Sequence, residues 1–295
     1  MFRRFPYQFP PLRSTALAGP RRPRSSIDDI NLLIEHRSCW YEHVSLSERH
    51  QSIFDHVRNS GRVGVTELAD ALGTSEMTIR RDLEELARLG VLRRVRGGAV
   101  SLLGQGDELP FAVREMQVSA EKQRIAKAVG ELIVDGEVVL LDSGTTGLEV
   151  AKVLAGRPLT VLPLSLQSAD VLADAPPTRV ILPGGELRPV ELTATGPLAE
   201  ATVRALRFDT AVITCCGVSV GAGFTAISLA DAALKAAAID VANRVVLAAD
   251  STKFARTTMA VIAPLTEVDV LVTDDQLPSS AHTILTDMGI EVRYG

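Results

Sequence analysis

Two groups of residues in this 295-residue chain have types and spacings suited to gripping phosphate. The first is cationic. Arg80 and Arg81 stand side by side, and Arg93, Arg94 and Arg96 crowd the approach to Gly97-Gly98. Paired guanidinium donors fit guanine O6 and N7, a contact that discriminates between bases by about 1–3 kcal/mol. Three cations within four residues are costly to bring together except against an anion, so phosphate contacts with steep salt dependence are expected there. Ser75, Glu76 and Thr78 lie beside the first arginine pair, and the hydroxyls of Ser75 and Thr78 suit phosphate contacts that set register. The second group is Asp142-Ser143-Gly144-Thr145-Thr146, which offers hydroxyls and backbone N–H groups at the start of a helix. A phosphate fits that turn, and Asp142 is expected to accept from a sugar hydroxyl. Lys253 is the first cation expected on such a ligand and Lys235 the second, with Gly184 and Gly185 in another turn of the same kind.

The elements that would carry the arginines are short helices and a ribbon between residues 46 and 101. Ser47 is a plausible cap for a helix whose apolar Ile53, Phe54 and Val57 share a face, and Asn59-Ser-Gly61 ends it. Val63 and Val65 form a brief extended entry, Thr66 is expected to cap a helix to Leu72, and Gly73 stops it. Ser75 caps a second helix reaching Leu89, with Met77, Ile79, Leu83, Leu86 and Leu89 as its apolar positions. Two helices joined by a tight glycine turn are a helix-turn-helix, here within residues 63–82, and the second helix enters the major groove. Residues 91–100 alternate apolar and basic around Gly97-Gly98, a two-stranded ribbon or wing. Taken alone, Arg80-Arg81 with Asp82, Glu84 and Glu85 also reads as a solvated helix face.

Residues 102–118, broken by Gly104, Gly106 and Pro110, read as a linker, and residues 119–295 as a second domain. There, near-continuous apolar segments alternate with Ala-rich helices: 137–141, 159–162, 179–182, 210–214, 244–248 and 269–273. Such a rhythm implies an open, mostly parallel α/β sheet covered on both faces. Ligands in these sheets sit outside the carboxyl ends of strands. The 142–146 turn, Pro183-Gly-Gly185, the Cys216–Thr225 stretch and Ala249-Asp-Ser-Thr-Lys253 all follow strands. The 142–146 turn on its own also reads as a capped turn with no ligand, and either lysine as a surface charge.

The net charge of −5 argues against nucleic acid only until local charge is considered, because a basic face still attracts phosphates beside an acidic domain. Three cysteines, Cys39, Cys215 and Cys216, form neither a disulfide framework nor a zinc pattern, which suits a reducing cytoplasm. No run of about 18 apolar residues is present, so no membrane partner is expected. No cofactor or metal is expected either. Residues 1–45 carry Arg3, Arg4, Arg13, Arg21, Arg22 and Arg24 with no acid before Asp28. They read first as a disordered arm or an upstream start and second as a DNA-contacting arm, and an organellar targeting sequence has the same composition.

Thr66-Glu-Leu-Ala69, Thr78-Ile-Arg-Arg-Asp-Leu83 and Leu92-Arg-Arg-Val-Arg-Gly-Gly-Ala99 together resemble the DNA-binding domain of DeoR-family regulators. Arg96 departs from the histidine of many relatives but keeps a donor. The second domain resembles the same family through Lys122 with Ile125-Ala126, residues 142–146, Gly184-Gly185, Thr195-Gly196, Gly217 with Gly223 and Thr225, Asp250–Lys253 and Thr273-Asp274. The resemblance implies a sensor similar to ribose-5-phosphate isomerase and the CoA transferases, used to bind phosphorylated sugars. It also implies a homo-oligomer, a dimer or tetramer, acting on double-stranded operator DNA as a repressor. Val161-Leu-Pro-Leu-Ser165 departs from the Thr-Asn of relatives and removes a polar group from the sugar's reach. Two other readings stand beside this one. A sugar-phosphate isomerase or CoA-transferase-like enzyme would need a positioned base, and Glu186, Glu191 and Asp250 form no compact acid-lysine-acid set. A DNA-binding protein without an effector is the other.

Overall fold

A computed structural model describes residues 48–88, 90–102, 111–117, 119–189, 191–254 and 256–295. The expected 1–45 extension, the Ser47 cap, Leu89 and most of the 102–110 part of the linker lie outside them.

Helix α1 (Glu48–Ser60) ends at Gly61, whose φ of +70° suits glycine. Strand β1 (Arg62–Gly64) leads into α2 (Val65–Ala71). That helix is capped two residues earlier than expected: Gly64 is its cap, its N–H bonded to Glu67 Oε2 at 3.2 Å, so Thr66 lies within the first turn. Ser75 does cap α3 (Glu76–Arg88), accepting from the Thr78 N–H at 3.2 Å. Ile79, Leu83 and Leu86 repeat at helical spacing and are buried completely. Met77, expected on that face, is instead 62% exposed, because it falls on the outward side of the first turn. The wing is a three-stranded antiparallel sheet, β1–β3–β2, with β2 at Leu92–Val95 and β3 at Gly98–Ser101. A Cβ at Gly98 would lie 2.0 Å from the Val63 carbonyl oxygen, so only glycine admits β1 to the wing.

Part of the expected linker is helical: α4 (Phe111–Met116) precedes α5 (Ser119–Leu132). The larger domain is built on a seven-stranded parallel sheet. Its strands are β4 (Val138–Leu141), β5 (Thr160–Pro163), β6 (Arg179–Val180), β9 (Phe208–Ile213), β12 (Ala242–Ala248), β14 (Val270–Thr273) and β15 (Glu291–Tyr294), in the order β15-β14-β12-β9-β4-β5-β6. Alternation along each strand fills both faces. Leu140, Ala211, Ile213, Leu247 and Leu271 enter one core, and Val139, Leu141, Val212, Val246 and Val272 the other. Helices α5, α6 (Gly144–Leu154), α7 (Leu166–Ala173), α8 (Pro197–Arg204), α9 (Leu229–Ile239) and α10 (Ser279–Asp287) alternate with the strands. The chain runs outward from β4 to β6 and then returns to β9 on the other side of β4. The β4/β9 seam is therefore the switch point, where open α/β sheets bind ligands.

Two small antiparallel additions were not expected. Strands β7 (Glu186–Arg188) and β8 (Thr193–Thr195) form a ribbon, and β10 (Gly217–Ser219) and β11 (Gly223–Ala226) pair as a hairpin extended by β13 (Ala260–Ala263). The glycine-rich 216–225 stretch is thus a hairpin. A Cβ at Gly223 would approach the Ala263 carbonyl to 2.1 Å, which gives those glycines a packing reason.

Candidate functional site

The exposed face of α3 carries Ser75, Glu76, Met77, Arg80 and Arg81, with Thr78 half-buried. Glu76 is held on two sides. It accepts from Thr66 Oγ1 at 2.6 Å and from Arg80 at 2.8 Å, which keeps its carboxyl below the usual carboxylate range. It therefore ties α3 to α2 and aims Arg80, while Arg81 stays exposed. Asp82, one of the supposed solvated acids, is buried on the opposite side. It accepts from Arg49 at 2.6 and 3.0 Å and lies 3.3 Å from His50, locking α3 against α1.

The wing does not gather its three cations at one point. Strand alternation sends Arg93 and Arg94 to opposite faces, with Arg94 3.7 Å from Glu84 of α3. Arg93 and Arg62 both pair with Val100 of the central strand, so they flank it on one face. Arg62 is a cation the sequence did not assign to the wing, and Arg96 stands at the exposed turn with Gly97.

At the β4/β9 seam, Ser143 holds the N-cap position of α6 without a side-chain cap hydrogen bond, and Gly144 adopts φ +88°. Gly147 has no space for a side chain, since a Cβ would lie 2.3 Å from the Asp142 carbonyl oxygen. Thr145 and Thr146 are buried, leaving Gly144 as the accessible point of the turn. Asp142 has no exposure at all. Its Oδ1 accepts from the Ser143 N–H at 2.7 Å, and its Oδ2 from Thr214 N and Oγ1 at 2.8 and 2.9 Å and from Lys235 at 3.0 Å. Lys235 also lies 3.1 Å from Asp231 and donates to the Thr214 carbonyl. Burial pushes the Lys235 pKa down, but Asp142 and Asp231 outweigh it and raise the value overall. In this structure Asp142 and Lys235 neutralise each other and join β4, β9 and α9.

A different cation stands at the turn, Arg114 of α4. A Cβ built on Gly144 would lie 3.9 Å from Arg114 Nη1, so the guanidinium of α4 stands over the start of α6. Arg114 is ion-paired with the buried Glu191 and lies 5.7 Å from the Phe111 ring centroid. Lys122 donates to the carbonyls of Arg114 and Gln117. Burial lowers its pKa to about 8, while its charge feels Asp250, Lys253 and Arg114 nearby. Lys253 is partly exposed, 4.0 Å from Asp250. Asp250 is anchored by Thr252, and its Oδ2 is buried with no hydrogen-bond partner. Gly184 and Gly185 do not join this cluster. They line a neighbouring cavity of about 190 Å³ with Pro163, Leu164, Ser165 and Leu187. Its link to the turn runs through the Leu164 N–H, which donates to the Leu141 carbonyl at 2.8 Å. Cys215 packs in the core beneath, its thiol pushed by burial up to about 12.

A capped reading helix beside a basic wing, followed by an α/β sheet with a polar turn at its switch point, defines a DNA-binding transcription regulator with a sensor domain. The DeoR-like helix-turn-helix domain matches residues 49–104, and the DeoR C terminal sensor domain matches residues 117–275. The transcriptional repressor AccR of Agrobacterium fabrum is 35% identical over 242 residues, covering 81% of this chain and 94% of its own. The glycerol-3-phosphate regulon repressor of Escherichia coli is 32% identical over 250 residues, covering 83% and 98%. Among solved structures, ribose 5-phosphate isomerase A of Methanocaldococcus jannaschii overlaps 45% of this chain and 53% of its own, at 17% identity and a TM-score of 0.34. The chain belongs to the DeoR family of transcription regulators.

Proposed function

We propose that the protein represses transcription in the cytoplasm as a dimer or tetramer on double-stranded operator DNA, and that a phosphorylated sugar or similar anionic metabolite releases it. The observation that carries the sensing half is the Arg114 guanidinium standing over the first turn of α6, with Lys122 feeling the charges of both Arg114 and Lys253. The helix N-terminus adds unpaired backbone N–H groups to those cations. On the DNA, Arg80 and Arg81 read bases and Met77 offers an apolar contact for a thymine methyl. Arg62, Arg93 and Arg96 of the wing hold phosphates. The cavity beside the turn has apolar walls in Leu164, Leu182 and Leu187, and the hydroxyl of Ser165 is occupied in capping α7. The non-phosphate end of the metabolite therefore meets little polar surface there.

A thermal-shift screen of the full chain against sugar phosphates and their unphosphorylated parents tests the sensor. At about 100 times Kd a ligand adds about 2.7 kcal/mol, a rise of about 5–10 °C for a domain of this size. A rise with a phosphorylated compound and none with its parent is expected. A folded chain with no rise for any of them would leave a DNA-binding protein without this effector class.

A further inference from the structure

Glu191 carries a charge that the sensing mechanism above leaves unused. It lies between β7 and β8, it is buried, and its carboxylate pairs with Arg114. The next residue, Leu192, sits at φ +49°, a left-handed conformation that branched or bulky side chains rarely adopt. Its carbonyl is fixed by the Leu166 N–H at 3.0 Å. A strained turn thus presents a carboxylate to the guanidinium that overhangs Gly144. Arg114 in turn belongs to α4, which packs against both α1 of the DNA-reading module and α6 of the sensor.

Resting on the proposed anion site, we infer that Glu191 is a resident counter-ion that holds Arg114 in the ligand-free protein and is displaced when a phosphate occupies the first turn of α6. The carboxylate brings one negative charge to Arg114. A phosphate on the turn carries up to two and reaches the helix N-terminus as well. Exchange of one anion for the other moves the Arg114 tether from the β7–β8 turn to the ligand. Because α4 touches both modules, that transfer reaches the reading domain. The anion that wins Arg114 decides which arrangement of α4 prevails, and a ligand shifts it only by its advantage over Glu191.

Calorimetric titration of the full chain with inorganic phosphate and with ribose 5-phosphate, for wild type, E191Q, R114Q and the double variant, tests this. E191Q, which keeps shape and removes charge, is expected to bind phosphate about tenfold tighter than wild type. R114Q weakens binding, and E191Q then adds nothing in the R114Q background. Hydrogen exchange supplies a readout that needs no ligand: residues 111–117 exchange faster in E191Q, and phosphate restores their protection. E191D, which keeps the charge, behaves as wild type in both measurements. Equal phosphate affinity in wild type and E191Q overturns the exchange while leaving the anion site standing. Unchanged exchange over 111–117 overturns the tether. Phosphate binding by none of the variants removes the anion site and this inference together.

Discussion

Lys235 lies between two carboxylates, 3.0 Å from Asp142 and 3.1 Å from Asp231, with almost no contact with water. Its charge is balanced inside the protein, so its loss strands two acids. Lys235→Met should destabilise the chain by about 3–5 kcal/mol, the cost of leaving a buried partner unpaired, measured by urea unfolding. Were its stability unchanged, the lysine would be a ligand group and not a structural one. The sequence puts Lys253 first for a phosphate and Lys235, on a helix, second. The burial of Lys235 within α9, between two carboxylates, is what the sequence does not tell. Arg114 presents the converse case. Within a Gly- and Pro-interrupted stretch it reads as linker, and its nearness to Gly144, 30 residues on, follows from α4 packing on α6.

Among the secondary elements, the reading helix is legible because its apolar period, its Ser75 cap and its glycine stop agree. The wing is only half legible. The Gly97-Gly98 turn announces β2 and β3, but β1 joins through a register with β3 some 36 residues distant, and that pairing brings Arg62 beside Arg93. Arg62→Ala with Arg93→Ala should weaken binding uniformly across sequences and flatten the dependence of log Kd on log salt by about one unit per phosphate contact removed. Arg80→Ala with Arg81→Ala should instead erase discrimination, at about 1–3 kcal/mol for each base contact. Fluorescence anisotropy on a selected duplex and on mismatched ones, over a salt series, separates the two; identical behaviour of both pairs would sink the division of labour. The join between α4 and α5 has its own signature in Lys122. Its folded-state pKa, lowered by burial to about 8, lies beneath the ordinary 10.5. The unfolded chain therefore holds the proton longer, and stability should rise as pH climbs from about 8 to 10.5. Lys122→Met should remove that rise in thermal melts, and a rise that persists in the variant would assign it elsewhere.

The whole molecule places sensing and reading on one chain, and the parallel sheet is the part most plainly written in the sequence. Each of its apolar runs feeds both cores, which is why they read as continuous Val, Ile and Leu. The strand order that makes β4/β9 the switch point is not written there, because it depends on which side of β4 the chain returns to. Nor are β7–β8 and the β10–β11 hairpin, whose short strands and glycines resemble ligand turns. Of the expected effector residues, the 142–146 turn follows β4 at the β4/β9 seam, Lys253 follows β12 beside Asp250, Asp142 pairs with Lys235, and Gly184-Gly185 border the adjoining cavity. The most direct test of the account as a whole is anisotropy of the full chain on a duplex that it selects from random DNA, titrated with sugar phosphates and their parents. A phosphorylated compound is expected to raise Kd for the duplex at least tenfold while its unphosphorylated parent does nothing. A Kd that stays constant across every phosphorylated compound, with the duplex bound specifically, would contradict it.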